Sequence, residues 1–285
     1  MVSIIILTYN SSAYIKKLIE SIYEFNKKED FEIIVVDNAS TDDTAKKVSS
    51  IKHKVSGIKL IQNQENAGFA AGINIGARES KGDYLLFINP DAEWKSGSIS
   101  GLIECLNSNI NIGIVGGKLV NKKGEAEKSC GKFFGLLASS AIALGLDNKL
   151  GIRFSPKKEE RVDFVSGGFM FIKNSLFIKL DGFDEHYFMY VEDMDLCFRA
   201  RFSGYITYFT PNVAIEHVSH GSSNRGFAIK NIYKGIFYFH KAHGTPFSYM
   251  VVKSLFSLKA ILLVLVGKIM NNKYLSTTYS NALKG

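Results

Sequence analysis

The sequence predicts an α/β protein with a mostly parallel sheet, helices on both of its faces and a helical tail. Three observations predict it. Short apolar runs rich in β-branched residues recur at 2–8, 31–36, 58–63 and 84–88, the pattern of strands buried on both faces. Helical patterning fills the intervals between them over about the first 90 residues, as parallel crossovers require. A chain of 285 residues with 46% hydrophobic content suffices for one large core or two coupled domains.

Taken in order, VSIIILT is the first strand. Asn10-Ser11-Ser12 can cap a helix whose apolar residues Ile15, Leu18, Ile22 and Phe25 recur at three and four. FEIIVV leads to Asp37, and TDDTAKKV (41–48) opens a helix with Thr and Asp at its start. IKLIQN is a third strand, GFAAGINIGARES (68–80) a helix of small residues, and YLLFI a fourth strand running into Asn89-Pro90-Asp91. Further on, IGIVGGKLV (112–120), VDFVSGGFMFIK (162–173) and ITYFT (206–210) read as strands. The Gly pair in the second of these permits close approach of backbone or ligand. A helix starts near Glu192, after the aromatic stretch Tyr187-Phe188-Met189-Tyr190. Residues 121–160 mix Gly, Lys and Ser and suggest a loop over the site.

Composition narrows the function. The charged fraction of 22% and the lack of low-complexity tracts exclude a disordered chain. Three unpatterned cysteines, Cys105, Cys130 and Cys197, fit neither a disulfide framework nor a zinc site. The chain begins directly on a strand, without a basic segment or cleavage site, so a cytoplasmic protein is expected. Its net charge of +8 is uneven: residues 217–285 hold nine basic groups and no Asp or Glu, whereas the first 216 residues set 26 basic against 27 acidic groups. Such a block suits a nucleic acid or an anionic membrane.

Ligands of open α/β sheets bind beyond the carboxyl ends of the strands. Here those ends are Thr8-Tyr9-Asn10, Asp37-Asn38, Asn63 to Asn66, and Asn89-Pro90-Asp91. Asp37 by itself fits a turn or cap carboxylate first, and an acceptor for the imide N–H of uracil or thymine second. Asn-Pro-Asp fits a turn, and its carboxylate also suits Mg²⁺ or Mn²⁺, which use one or two carboxylates plus phosphate oxygens. Glu192, Asp193 and Asp195 suit a helix start electrostatically, and one of them could serve as general base. His217 and His220, followed by Gly221-Ser222-Ser223, complete a metal site only if His217 returns to the Asp91 rim. The first strand leads into TYNSSAY rather than a GxGxxG turn, which argues against a nicotinamide dehydrogenase.

The succession VSIIILTYN, VVDNASTDDT, NAGFAAGINIGA, YLLFINPDA, GGFMFI, FMYVEDMDLCFRARFSGY and HVSHGSS resembles the family 2 glycosyltransferases over about residues 2–245. It is most similar to their bacterial rhamnosyltransferase-like branch, which carries Asn-Pro-Asp where other members have Asp-x-Asp. The resemblance implies a GT-A fold, a three-layer α/β/α domain with a mostly parallel mixed sheet. It divides the chain into a catalytic domain at 1–224 (a nucleotide-binding half, 1–100, and an acceptor-side half, 101–224) and a basic, apolar tail at 225–285. It implies an inverting, metal-dependent transferase using Mg²⁺ or Mn²⁺. Thr8, Tyr9, Asn10, Asp37, Asn66, Gly68 and Asn89 would line the nucleotide cleft, Asp91 and His217 would hold the metal, and Asp193, with Glu192 beside it, would be the catalytic acid pair, Asp193 as base. The implied donor is dTDP-rhamnose, with UDP-linked GlcNAc, galactose or glucose as the alternative. The acceptor would be a glycan or polyprenyl-linked sugar in cell-surface polysaccharide synthesis. A silent nucleotide-sugar-binding subunit is the alternative from another class, and the intact Asp91, Glu192, Asp193 and His217 argue against it.

In the tail, SLFSLKAILLVLVGKIM (254–270) is apolar, but its uninterrupted part, Ala260 to Val266, falls short of the ~20 residues of a spanning helix. With its lysines it reads as an interfacial helix on an anionic membrane, ahead of a helix covering the catalytic domain's core, and the first reading would put the protein on the inner face of the cell membrane. No nucleic-acid-binding motif accompanies the charge, so no nucleic-acid partner is expected.

Overall fold

The buried aliphatic residues of the first strand point alternately to two separate cores. In β1 (Val2–Thr8) Ile4 and Ile6 join one cluster and Ile5 the other, as strict alternation across a covered sheet demands. The computed structural model describes residues 1–53, 55, 57–217 and 225–284; His220 and Gly221-Ser222-Ser223 of the sequence motif lie outside them.

The chain continues through α1 (Ile15–Phe25), β2 (Phe31–Asp37), α2 (Thr44–Lys52), β3 (Ile58–Gln62), α3 (Gly68–Arg78) and β4 (Tyr84–Ile88). These four strands pair in parallel in the order β3-β2-β1-β4. The chain moves outward from β1 to β3, then crosses back over α3 to β4 on the other side. That reversal is the topological switch at which such sheets bind ligands.

Next come β5 (Ala92–Ser96), α4 (Ile99–Asn107), β6 (Ile112–Val120), β7 (Cys130–Gly131), α5 (Leu136–Ala143), β8 (Arg153–Phe154), β9 (Glu160–Val162), β10 (Phe164–Val165) and β11 (Phe169–Lys173). They are followed by α6 (Asn174–Lys179), α7 (Glu192–Phe202) and β12 (Ile206–His217). The sheet extends as β4-β11-β6-β12-β5, with β6 and β12 parallel and the other contacts antiparallel, β9 pairing with β12. Helices α1, α2 and α4 cover one face, and α3 and α7 belong to the cluster on the other. The result is a three-layer α/β/α arrangement on a mixed sheet, with a small second sheet β10-β7-β8 beside it.

Three helices close the chain: α8 (Arg225–His243), α9 (Pro246–Ile269) and α10 (Lys273–Leu283). Pro246 at the first turn and a reciprocal Thr245–Ser248 capping box start α9. Tyr233, Ile236 and Phe239 of α8 and Val252, Phe256 and Ala260 of α9 merge into the α3–α7 core.

Four expectations change. Asn10-Ser11-Ser12 does not cap α1 through its side chains; Asn10 Oδ1 instead accepts from the backbone N–H groups of Thr41 and Asp42. That bond locks residues 41–43 as a turn, so α2 begins at Thr44 rather than Thr41. The stretch 162–173 is not one strand, because the chain turns at Gly167-Gly168 between β10 and β11. Residues 206–217 form one strand that passes beyond the expected end at 210, since β5 pairs with its distal half.

Candidate active site

Thr8 and Asp37 face each other at the ends of paired strands β1 and β2. The Thr8 hydroxyl donates to Asp37 Oδ1 at 3.1 Å, and Ser40 contributes both its hydroxyl and its N–H to the same carboxylate. Asp37 is only 2% exposed, and three donors fix its direction. Beside it, the buried Asn38 donates to Asn66 Oδ1 at 3.2 Å and to the Gly68 carbonyl at 3.0 Å, and accepts from Asn63 at 2.7 Å. Asn38 thereby ties the ends of β2 and β3 to the start of α3. Tyr9 is exposed at the rim, and Asn10 is occupied in holding the 41–42 turn.

Gly68 starts α3 with φ +86°. A Cβ there would strike the Phe188 carbonyl oxygen, which already accepts from Phe69 N–H at 2.6 Å. Only glycine combines that backbone angle with that approach. The contact folds the aromatic loop before α7 across the rim at the start of α3.

That loop then passes through Tyr190 at φ +71° and Val191 at φ +76°. Two left-handed residues in succession, one β-branched, store strain of about 1–3 kcal/mol each. The packing opposite holds them: a Cβ on Gly235 of α8 would meet Val191 Cγ2 at 2.8 Å. The turn delivers Glu192 and Asp193 as the first two residues of α7. Asp193 Oδ2 accepts from Gly167 N–H at 3.0 Å and Oδ1 from Met194 N–H at 2.8 Å. The neighbouring Gly168 lies against Asn89, whose N–H donates to the Gly168 carbonyl at 3.1 Å. The Gly pair therefore couples the Asn89-Pro90-Asp91 turn directly to Asp193. Asn89, Gly167, Gly168, Glu192 and Asp193 also line a cavity of about 150 Å³ with Phe134 and Arg153.

Asp91 is 3% exposed, and neither of its carboxylate oxygens has a hydrogen-bond partner. His217, at the end of β12, brings Nε2 to 3.5 Å of Asp91 Oδ1. Burial pushes the Asp91 carboxyl above its usual range, and the nearby imidazole partly offsets this. The other imidazole nitrogen, Nδ1, lies 3.3 Å from Glu127. A bare buried carboxylate beside an imidazole oriented by a second carboxylate is a donor set suited to a divalent cation completed by phosphate oxygens. Among the described residues no group of three or more His, Cys, Asp or Glu side chains forms a closed metal cage, so the ligand itself would complete such a site.

Glu192 is buried with Oε2 unpartnered. Burial first, then repulsion by Asp193, raises its carboxyl well above the ordinary range. Asp195, the third acid, is fully buried and structural: it accepts from Tyr187 at 3.2 Å, Arg199 at 2.7 Å and His243 of α8 at 2.7 Å.

The fold thus gathers Thr8, Asp37, Asn66, Gly68, Asn89, Asp91, Glu192, Asp193 and His217 on adjoining strand ends and turns. The sequence reading missed Asn38 as the link between rim segments, Glu127 behind His217, Arg153 in the cavity wall and His243 behind α7. Glu127 and Arg153 lie in residues 121–160, which carry no periodic signal. Val120–Ala126 bridging, β7, α5 and β8 order that segment beside the acids.

The profile of a family described as Glycosyl transferase family 2 matches residues 3–181. "Rhamnosyltransferase WbbL" of Escherichia coli (strain K12) is 30% identical over 243 residues, covering 81% of this chain and 88% of that protein. "N-acetylglucosaminyl-diphospho-decaprenol L-rhamnosyltransferase" of Mycobacterium tuberculosis (strain ATCC 25618 / H37Rv) is 24% identical over 247 residues, covering 78% of this chain and 77% of that one. Among solved structures, the mannosyltransferase PcManGT from Pyrobaculum calidifontis in complex with GDP-Man and Mn²⁺ superposes with a TM-score of 0.60 at 18% identity, covering 99% of this chain and 84% of its own. S. aureus TarS 1-349 gives a TM-score of 0.56 at 16% identity, covering 99% and 90%. At these identities the structural likeness establishes the GT-A fold.

Proposed function

The chain belongs to glycosyl transferase family 2, and from that membership and the rim around Asp91 we propose an inverting, Mg²⁺- or Mn²⁺-dependent transfer of rhamnose from a dTDP donor to a lipid-linked sugar. The observation that carries the reading is Asp91, buried with both oxygens bare of hydrogen bonds beside His217. A carboxylate kept in that state calls for a cationic partner. The names of the E. coli and mycobacterial relatives support rhamnose, and the mycobacterial name supports a diphospho-polyprenol acceptor.

In this reading Asp37, aligned by Thr8 and Ser40, accepts the imide N–H of the base, and Asn66 and Gly68 line the same cleft. Asn89 borders the donor sugar, and Tyr9 and Asn10 form the outer rim. Asp91 and His217 hold the divalent ion, which when bound offsets charge on the departing diphosphate. Asp193 has one hydrogen bond on each oxygen, leaving lone pairs free for a further donor. It takes the proton of the acceptor hydroxyl as that oxygen bonds to the anomeric carbon. The bond from that carbon to the nucleoside diphosphate breaks in the same step, inverting the centre. Burial favours the protonated form of Glu192 beside Asp193.

The test is the melting temperature with dTDP, UDP and GDP, each with and without Mn²⁺. A ligand at a hundred times its dissociation constant stabilises by about 2.7 kcal/mol, or several degrees for a chain of this size. A Mn²⁺-dependent rise with dTDP exceeding that with UDP is expected. No rise with any nucleotide returns Asp37 and Asp91 to the role of turn residues.

We further propose a peripheral membrane position for α9, on the inner face of the cell membrane. This is the one described helix long and apolar enough to cross a bilayer. Val252, Phe256 and Ala260, four apart, pack it lengthwise against the protein, while Leu258, Ile261, Leu262 and Leu265 are about half exposed. A helix packed along one side with an apolar opposite side and flanking lysines suits the interface of an anionic bilayer. Replacing both Leu258 and Leu265 with Glu should lower flotation with phosphatidylglycerol vesicles at least tenfold, at unchanged melting temperature. Undiminished flotation would remove α9 as the docking element.

A further inference from the structure

Arg153 occupies an unusual position for a cation. It stands on β8, in the wall of the cavity that contains Asp193, Glu192 and Asn89. The cavity's lining includes none of Thr8, Asp37, Asp91 or His217, and it joins Asn89 to Asp193, so in the reading above it spans the junction of donor sugar and acceptor. A guanidinium carries five N–H donors. Here one nitrogen, Nη2, donates to the Lys128 carbonyl at 3.2 Å, while Nε is buried without a partner. No carboxylate among the described residues forms an ion pair with it. The planar group is steadied over the Phe164 ring, 5.2 Å from its centroid. A half-buried, aromatic-backed guanidinium with unfilled donors suits a phosphate, whose oxygens it can engage two at a time.

The surroundings indicate which phosphate. About 150 Å³ equals roughly five water volumes, room for a small polar group and far below the ~300 Å³ at which sites for larger ligands begin. Phe134 forms part of the same wall, and α5 begins two residues later at Leu136. Helix α5 is joined to α9, where Lys259 Nζ donates to the Ile142 carbonyl at 3.0 Å, and its Leu137 is exposed. Acid pair, guanidinium and apolar helices therefore succeed one another along one path. That is the order of an acceptor hydroxyl, its phosphate linkage and its lipid.

We infer that Arg153 binds the phosphate linking the acceptor sugar to its lipid; this rests on the lipid-linked acceptor proposed above. Arg153 is then a specificity-determining residue, separating phosphate-linked acceptors from uncharged glycans.

The experiment is calorimetric titration of the full chain with farnesyl diphosphate and with farnesol, in EDTA so that the Asp91 site holds no metal. The wild type should bind the diphosphate at least tenfold more tightly than the alcohol, and Arg153→Gln should bind both alike. Lys132→Gln, just past β7 and bonded through its N–H to the Ile152 carbonyl next to Arg153, should keep the preference. Should Arg153→Gln melt well below the wild type, Arg153→Lys carries the result: it keeps the charge without the fork, and the preference should fall at least threefold. A wild type without preference, or an Arg153 variant that retains it in full, overturns the inference. Displacement of farnesyl diphosphate by an equal concentration of dihexanoyl phosphatidylglycerol also overturns it, since the site would then read any lipid phosphate. The Mn²⁺-dependent dTDP shift is measured on separate, EDTA-free portions of the same proteins; its absence in wild type counts against the transferase reading, not against Arg153.

Discussion

Asp193→Asn should lower the turnover number about 10³-fold while leaving the Mn²⁺-dependent nucleotide shift unchanged. General bases contribute typically 10²–10⁴-fold, and Asn keeps the shape while losing the proton acceptor. Its amide oxygen can still accept from Gly167 N–H, so the link through the Gly167-Gly168 pair to Asn89 survives. Glu192→Gln is the matched control. Glu192 is buried and its carboxyl is raised well above the ordinary value by burial and by Asp193, so Gln mimics its neutral form and should retain most of the turnover. The linkage sign follows from that direction. A raised carboxyl binds its proton more tightly in the folded state, so stability falls as pH rises from the ordinary glutamate value of about 4.3 through the raised one. Glu192→Gln should therefore melt above wild type at pH 8, with the gap closing toward pH 4. Retained transfer in Asp193→Asn would remove it as base; equal loss in Glu192→Gln would make the pair, rather than Asp193 alone, the acid–base unit.

The second large effect belongs to Asp91. Asp91→Asn should abolish the Mn²⁺ dependence of nucleotide binding and weaken that binding at least 100-fold in Mn²⁺. Contact with a divalent ion is worth several kcal/mol, and 1.4 kcal/mol is tenfold. The side chain is buried with no hydrogen-bond partner on either oxygen, so the substitution breaks no hydrogen bond within the fold and should not lower the melting temperature without ligand. That separates loss of a ligand-binding charge from loss of structure. An Asp91→Asn protein with an unaltered Mn²⁺ response would place the metal elsewhere and leave Asp91 as a turn residue.

Legibility followed the range of the interactions. The apolar runs of β1, β2 and β4 announce buried strands because their neighbours in sequence share one environment. Thr8 and Asp37 at the ends of β1 and β2, and Asp91 just past β4, could be assigned to one rim because parallel strands all end on one side. The Gly167-Gly168 turn was only half visible: the pair signalled close approach, but Asn89 and Asp193 as the groups approaching were not. Asp195 looked no different from Asp193 in sequence, although three partners, one of them His243, make it structural.

By itself the sequence determined a sheet with helices on both faces, the strand ends that form the rim, and the family's ordered motifs. Only the tertiary structure decided that Glu127 stands behind His217, that Arg153 enters the cavity beside Asp193, and that Gly235 braces the strained Tyr190-Val191 turn. Each of these joins residues more than about 35 positions apart. Periodicity and capping report only on neighbours along the chain, whereas these pairings arise from how the core closes.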